Sequence, residues 1–199
     1  MLALKPGTPT QLRLLPMGAD EARDLTPDEI NRHWAAWCPD GRSIVFSGNP
    51  PGQAVRIYLQ ALDGSRPQAL TPEGMRIIWH PVSPDGRFVA AVGPGEQAYL
   101  YPLAGGERQP IAGWTAGDRP VRFSADGAAL FVFRDGEVPA DVFRIDLASG
   151  RRDHYRTFMP PDPAGVALIN PVLLSADGLA HAYGYRRILS DLFLAEGLP

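Results

Sequence analysis

Four aspartates, each followed at once by a glycine, form the most regular set of reactive side chains in this sequence. They are Asp40-Gly41, Asp85-Gly86, Asp126-Gly127 and Asp177-Gly178. Gathered in one place, carboxylates could perform general acid–base catalysis or bind a cation. One aspartate in each of four copies of a motif is instead what a tight turn requires, because its side chain accepts hydrogen bonds from nearby backbone amides. We therefore predict structural turns and no catalytic role for these residues.

The histidines and the cysteine give no metal-binding or catalytic pattern. The chain has four His without zinc-type spacing and one Cys, Cys38, which excludes an intramolecular disulfide. The sequence contains neither a Gly-x-Ser-x-Gly nucleophile motif nor a calcium-loop pattern. We expect no catalytic residue, no metal site and no cofactor.

A second set of residues could bind a partner. His33, Arg76 and Arg119 come just before predicted inner strands, where loops would surround the mouth of a central channel. These side chains could hold an anionic group or a partner's carboxylate, and a solvated rim without a ligand is the alternative. Trp34 and Trp79 precede their repeat aspartates at the same spacing and could stack on a ligand or pack on inner strands. These five residues form the candidate ligand or partner rim.

The elements that must position these residues repeat along the chain. The Asp-Gly turns recur roughly every 40 to 50 residues, and an apolar run follows each turn. The unit from His33 to Pro72 predicts four antiparallel strands joined by tight turns, which is the size of one propeller blade. The 21 Gly and 21 Pro fall between the apolar runs and favour many short strands. We predict an all-β fold, a β-propeller with about four four-stranded antiparallel blades.

The sequence predicts a single propeller domain over residues 1–199. Its parts are a half blade over 11–27 and blades over about 32–72, 75–113, 119–158 and 166–198. The last blade lacks a fourth strand, so two arrangements follow. In one, residues 21–27 complete the last blade and close a small ring; in the other, the chain is a partial propeller whose open blade faces would allow self-association. A capping-box motif also permits a helix over 30–37 as an alternative to a strand.

One stretch of the chain resembles a known type of repeat. Residues 37–46 read Trp-Cys-Pro-Asp-Gly-Arg-Ser-Ile-Val-Phe, and Ile57-Tyr58-Leu59 and Asp63-Gly64 follow. This order resembles the repeat of TolB-type WD-like propellers, in which Trp-Ser-Pro-Asp-Gly starts a blade and Ile-Tyr marks its third strand. The resemblance covers about residues 11–198. The run over 185–194 resembles more narrowly the C-terminal propeller of bacterial serine/threonine kinases, which implies a sensor region, although no kinase signature is present.

Composition and resemblance together bound the function. The formal net charge of −3 gives no reason to expect nucleic acid, and no apolar run is long enough for membrane insertion. We expect a non-catalytic interaction or ligand-sensing module that binds a protein, a peptide or a small ligand at the channel mouth, within a larger kinase-associated protein. The alternative is a fragment or accessory domain of a propeller hydrolase or peptidase. The compartment is periplasmic or extracytoplasmic if the kinase resemblance holds, and cytoplasmic otherwise.

Overall fold

The computed structural model describes residues 1–18, 21–25 and 28–190, with the backbone alone at 77–80. Within these ranges the chain forms seventeen short strands and one 3-10 turn, Pro94–Glu96. The predicted all-β fold is confirmed, and a strand at 31–37 excludes the helix alternative. The described part contains no helix that is long and apolar enough to cross a membrane. Residues 191–198 of the predicted last blade lie outside the described residues, as do residues 19–20 and 26–27 of the half blade.

The strands form five antiparallel sheets, each built from neighbours in the sequence. The first sheet has β1 (Leu2–Lys5), β2 (Gln11–Leu14) and β3 (Arg23–Asp24). The second has β4 (Asn31–Trp37), β5 (Ser43–Asn49), β6 (Arg56–Ala61) and β7 (Gln68–Ala69). The third has β8 (Arg76–Val82), β9 (Phe88–Val92), β10 (Ala98–Pro102) and β11 (Gln109–Pro110). The fourth has β12 (Asp118–Phe123), β13 (Ala129–Arg134), β14 (Ala140–Asp146) and β15 (Arg152–Phe158). Among the described residues the fifth has β16 (Val166–Leu174) and β17 (His181–Arg187).

Apolar clusters fill the spaces between successive sheets. In β5, Ile44 and Phe46 face the first sheet while Val45 faces the third, and all three are fully buried. In β13, Leu130 packs towards the third sheet and Phe131 towards the fifth. Strands covered on both faces need consecutive apolar residues, which is the pattern seen after each Asp-Gly turn. Burying each such side chain contributes about 1.5–3 kcal/mol to the stability of the fold, so the apolar contacts between neighbouring sheets stabilise their radial packing.

The two ends of this stack are not joined among the described residues. Strand β3 pairs with β2 through Arg13↔Asp24 and Leu14↔Arg23, and so it does not complete the last blade. The ring-closing alternative is therefore wrong for the described strands, and the fold is that of a partial propeller. The first sheet also begins before the predicted half blade, because Leu2 and Leu4 of β1 pair with Leu14 and Leu12.

One buried arginine fastens the first sheet to the second. Arg32 on β4 is only 1% exposed. Its Nη1 and Nη2 donate to the two carboxylate oxygens of Asp28 at 2.7 and 2.8 Å, and Nη1 also donates to Gln11 Oε1 at 2.7 Å. The guanidinium carbon lies 4.6 Å from the centre of the Phe46 ring. This junction thus combines a paired buried charge with apolar contact, and sequence reasoning did not identify it.

Candidate functional site

Four of the five predicted rim residues line one cavity. His33, Trp34, Arg76 and Arg119 surround a space of about 470 Å³ at one end of the channel, which we call the upper mouth. His33, Arg76 and Arg119 lie within the inner strands β4, β8 and β12 rather than before them, so the loop placement predicted for these three is wrong. Trp34 lies on the inner strand β4, where it was expected. The fifth, Trp79, is part of β8, but its side chain lies outside the described residues.

The upper mouth has apolar walls and a polar edge. The walls include Val55, Phe133, Pro171 and Val172. Asp135 and Asn170 add a carboxylate and an amide from the fourth and fifth sheets, and sequence reasoning identified neither. A concave apolar surface with a few convergent polar groups is the usual form of a binding site.

A chain of charged side chains crosses the upper mouth from the third sheet to the fifth. Glu96 forms ion pairs with Arg76 and with Arg119, whose Nη1 lies 2.9 Å from Glu96 Oε2. Arg119 Nε lies 3.3 Å from Asp135 Oδ2, and Asn170 Nδ2 donates to Asp135 Oδ1 at 3.1 Å. Two cations thus meet two anions. The mouth is therefore charge-balanced, and each of the two arginines already has a carboxylate partner.

Glu96 lies at the centre of this chain on a strained backbone. Its φ of +61° is the only positive value at a residue other than glycine within the described ranges. The left-handed conformation costs a non-glycine residue roughly 1–2 kcal/mol. Arg119 and then Arg76 hold the pKa of the Glu96 carboxyl below its usual range by hydrogen bonding to the charged form. Only the Gly-Pro-Gly sequence at 93–95 signalled an irregular turn here.

His33 stands apart from the charged chain. Its Nε2 lies 2.8 Å from Asn49 Oδ1, within the second sheet. Ser47 also lines the upper mouth, but no hydrogen bond between Ser47 and His33 is formed. Among the described side chains, the mouth brings together groups that can bind but contains no hydrogen-bonded pair of nucleophile and base.

The repeat aspartates serve their own turns. Asp85 Oδ1 accepts from Ser83 Oγ at 2.6 Å and from the Arg87 amide at 3.0 Å, and Ser83 Oγ accepts from the Phe88 amide at 3.0 Å. The Ser83 hydroxyl and the Arg87 amide hold the pKa of Asp85 below its usual range. The glycines after the aspartates all have left-handed φ values: +64° at Gly41, +69° at Gly86, +71° at Gly127 and +74° at Gly178.

One of the four turns differs in its chemistry. Ser124 and Ser175 repeat the hydroxyl contacts of Ser83, whereas Cys38 occupies the corresponding place in the first copy. There the Ser43 amide donates to Asp40 Oδ1 at 3.0 Å instead. Burial, and then the nearby Asp40, raise the pKa of the Cys38 thiol to about 11, so the thiol is unreactive at neutral pH.

The four turns meet around the other end of the channel, which we call the lower mouth. It is a cavity of about 730 Å³. The residue just before each repeat aspartate lines it: Pro39, Pro84, Ala125 and Ala176. Trp34 lines both mouths, and Trp37, which is 40% exposed, lines the lower one. Consecutive turns touch, since a Cβ at Gly86 would lie 3.8 Å from the Pro39 ring.

One cluster outside the channel has the residue types of a catalytic triad. His154 Nε2 lies 3.0 Å from Thr157 Oγ1 and 3.2 Å from Asp141 Oδ1, on exposed strands of the fourth sheet. A triad uses one ring nitrogen for the nucleophile and the other for the carboxylate. Here both contacts involve the same nitrogen, so the arrangement is a surface hydrogen-bond cluster. In the described part of the chain, no three His, Cys, Asp or Glu residues converge as a metal site.

Comparison with solved structures agrees with this architecture. TolB from Acinetobacter baumannii superposes with a TM-score of 0.69 over 94% of this chain, at 20% sequence identity. The chain spans 45% of the length of that TolB structure. A structure of a nidogen/laminin complex matches with a TM-score of 0.61 at 11% identity, over 92% of this chain and 68% of that one.

A peptidase is also among the similar structures. The puromycin-hydrolysing peptidase of Mycobacterium tuberculosis matches with a TM-score of 0.57 at 20% identity, over 92% of this chain and 32% of the peptidase. No protein-family model and no curated protein matches the sequence. At these identities the similarity establishes the propeller fold alone.

Proposed function

We propose that this chain is a non-catalytic binding module that accepts a segment of a protein or peptide at the upper mouth. The observation that carries the proposal is the combination of a cavity of about 470 Å³, apolar walls and a charge-balanced edge built from three sheets. Trp34 and Phe133 provide surfaces for an apolar side chain. Asp135 and Arg76 lie at the edge, where they can pair with polar groups that flank such a side chain.

The similar structures support this proposal at the level of the fold. One of them is a complex of nidogen with laminin, so a propeller of comparable shape engages another protein there. A charge-balanced edge favours a segment that carries both signs of charge or neutral polar groups, because a purely anionic ligand would face Glu96 and Asp135 as well as the arginines.

The test is selection of peptides from a random displayed library on the whole chain, followed by affinity measurement on two matched variants. Arg119 and Arg122 both lie on β12, and each lines a different mouth. We expect Arg119→Gln to weaken the selected peptides about tenfold or more, because the variant loses the cation that pairs with Glu96 and Asp135 and so keeps the edge charge-balanced. Arg122→Gln should leave their affinity unchanged. Equal effects of the two variants, or failure to select any peptide, would count against the upper mouth.

The narrower form of the proposal places the module in a larger, kinase-associated bacterial protein as its sensor region. Its support is the sequence resemblance over 185–194, of which 185–190 lie among the described residues. Analysis of the genomic neighbourhood tests it directly. A kinase domain and a membrane-spanning segment encoded in the same reading frame would support the sensor role, and a hydrolase nucleophile motif there would contradict it.

The alternative, an accessory domain of a hydrolase, is supported by the similarity to the peptidase. The geometry at His154, Thr157 and Asp141 gives it no catalytic centre within the described residues. Incubation of the repurified chain with a chromogenic ester or peptide substrate distinguishes the two functions. Turnover abolished by His154→Ala would overturn the non-catalytic proposal.

A further inference from the structure

Arg122 breaks the internal symmetry of the lower mouth. The residue four positions before each repeat aspartate lines this cavity in every copy, and the other three copies have apolar residues there: Ala36, Pro81 and Leu173. The fourth sheet alone places a cation at this position. Since all the turns share one backbone geometry, the turn itself does not require an arginine.

The Arg122 side chain is oriented but not neutralised. Its Nε donates to the Phe123 carbonyl at 3.2 Å, and its Nη1 donates across the sheet boundary to the Leu174 carbonyl at 2.8 Å. Arginine has five N–H donors, so the remaining ones are available to a further acceptor. Among the described residues, no carboxylate forms an ion pair with Arg122 within 4.0 Å.

The nearest candidate partner is already engaged. Asp177 acts on Arg122 only at longer range, and its carboxylate accepts from Ser175 Oγ and from the Leu179 amide at 3.0 Å. Partial burial of the Arg122 guanidinium lowers its pKa, although an arginine stays charged at any physiological pH. A partly buried, unpaired cation with a fixed orientation is prepared to receive an anion.

The rest of the lower mouth is apolar. The four residues just before the repeat aspartates, Pro39, Pro84, Ala125 and Ala176, form an apolar collar around the cavity. Trp37, Val82 and Leu173 also line it, and Arg122 is the only charged residue that does so among the described side chains. Its volume of about 730 Å³ falls in the range of small-molecule sites. The shape and the charge together suit a ligand with an apolar body and a single anionic end.

We propose that the lower mouth is a second binding site, separate from the upper mouth, for a free carboxylate with an apolar body, such as a medium-chain fatty acid. The carboxylate would accept hydrogen bonds from Arg122, and the apolar body would lie against Trp37 and the collar of the four turns. This site is distinct from the peptide site at the upper mouth, because Arg122 lines only the lower cavity and Arg119 lines only the upper one.

Titration of the whole chain with octanoate tests this proposal. The indole resonance of Trp37, assigned with Trp37→Phe, reports occupancy by NMR, and calorimetry gives the affinity. Octanamide keeps the apolar body without the charge, and acetate keeps the charge without the body. We expect each to bind about tenfold or more weakly than octanoate, because each lacks one of the two interactions.

Matched variants locate the site. Arg122→Gln should weaken octanoate about tenfold or more, whereas Arg119→Gln should leave it unchanged, the reverse of the pattern expected for peptides. Circular dichroism checks the fold of both variants. If Arg122→Gln does not fold, the comparison of octanoate with octanamide on the unchanged protein still decides the question.

Three results would overturn the proposal. Octanamide could bind as tightly as octanoate, which would make the cavity a simple apolar pocket. Acetate could shift the Trp37 resonance at the same concentration as octanoate, which would mean an adventitious ion only. A peptide with an apolar C-terminal residue could shift it while octanoate does not, which would assign the site to a protein terminus.

Discussion

The two mouths of the channel are built by the same four inner strands, yet their chemistry is opposite. At the upper mouth, arginines and carboxylates from successive sheets neutralise one another. At the lower mouth, the aspartates accept hydrogen bonds within their own turns, and Arg122 has no ionic partner among the residues that the structure describes. Long-range pairing thus holds the upper mouth together, while local backbone hydrogen bonds shape the lower one.

This difference shows that the repeat constrains the sequence of the two mouths differently. The turn motif must keep its sequence because each copy satisfies its own backbone, so the lower mouth can vary only at positions outside the motif, such as Arg122. At the upper mouth the same repeat position carries a different residue type in each copy, as His33, Arg119 and Asn170 show, and Glu96 and Asp135 lie outside the inner strands. Three variants and one NMR titration test this contrast.

The largest effect is expected just beneath the upper mouth. Asp118 is fully buried beside Arg119, and its Oδ1 lies 2.9 Å from Arg152 Nη2. Asp118→Asn would leave the Arg152 charge unpaired in a mostly buried place and should lower the free energy of unfolding by about 3 kcal/mol, measured in urea. The control is Asp153→Asn, which breaks an exposed pair with Arg151 and should cost less than about 1 kcal/mol. Equal losses would contradict the role of burial.

A smaller effect is expected in a turn of the lower mouth. Gly86 has a φ of +69°, and the nearest atom to an added Cβ is the Pro39 ring at 3.8 Å, an ordinary contact. Gly86→Val should therefore lower the free energy of unfolding by about 1–2 kcal/mol through backbone strain alone. Arg87→Ala, one residue later, should change the urea midpoint little. A cost at Arg87 as large as that at Gly86 would show that side-chain contacts, and not the turn, shape this mouth.

A third variant exchanges the chemistry of two turns. Ser83→Cys gives the second turn the residue that the first turn has at Cys38, and it removes the hydroxyl that bridges Asp85 and the Phe88 amide. We expect a loss of about 1 kcal/mol in the free energy of unfolding, the usual net value of a hydrogen bond. A midpoint unchanged from the parent would mean that the hydroxyl contributes nothing beyond the aspartate.

The smallest expected effect is a difference between the two mouths in how salt changes the pKa of a carboxyl group. Hydrogen bonding to arginines lowers the pKa of Glu96, and hydrogen bonds within the turn lower the pKa of Asp85. In both cases the stabilisation is present above the unfolded-state pKa and is lost as the pH falls through the folded pKa. Because salt screens ion pairs, NMR titration at high salt should raise the pKa of Glu96 towards its usual value and move that of Asp85 less. Equal movement of both would contradict the contrast.

The propeller fold could be predicted because its signals are local and repeated. Ile44, Val45 and Phe46 follow a turn and are apolar in succession, which only a strand covered on both faces tolerates, and the same pattern returns in β9 and β13. Strand β1 was missed because four residues with two leucines carry too weak an alternation to stand out. The pairing of β3 could not be chosen from sequence, since a two-residue strand fits either sheet edge.

The site could be predicted only in part. His33, Trp34, Arg76 and Arg119 were identified because each occupies a comparable place relative to a repeat. Glu96 and Asp135 come from connections between strands, so no period pointed to them, and the neutralisation of the arginines could not be foreseen. Asn170 was missed although it lies on β16, seven residues before Asp177, the position that His33 and Arg119 have in their own copies. Arg32 was missed for a related reason: its partner Gln11 belongs to the irregular first sheet, and its partner Asp28 lies in the connection from that sheet to β4.

The open ends of the stack of sheets have a consequence for motion. Each apolar cluster is shared by two neighbouring sheets, so an inner sheet is held from both sides and a terminal sheet from one. Amide hydrogen exchange should then be graded, slowest in β9 and β13 and faster towards β1 and β17. Local unfolding would therefore begin at the terminal sheets and reach the inner sheets last.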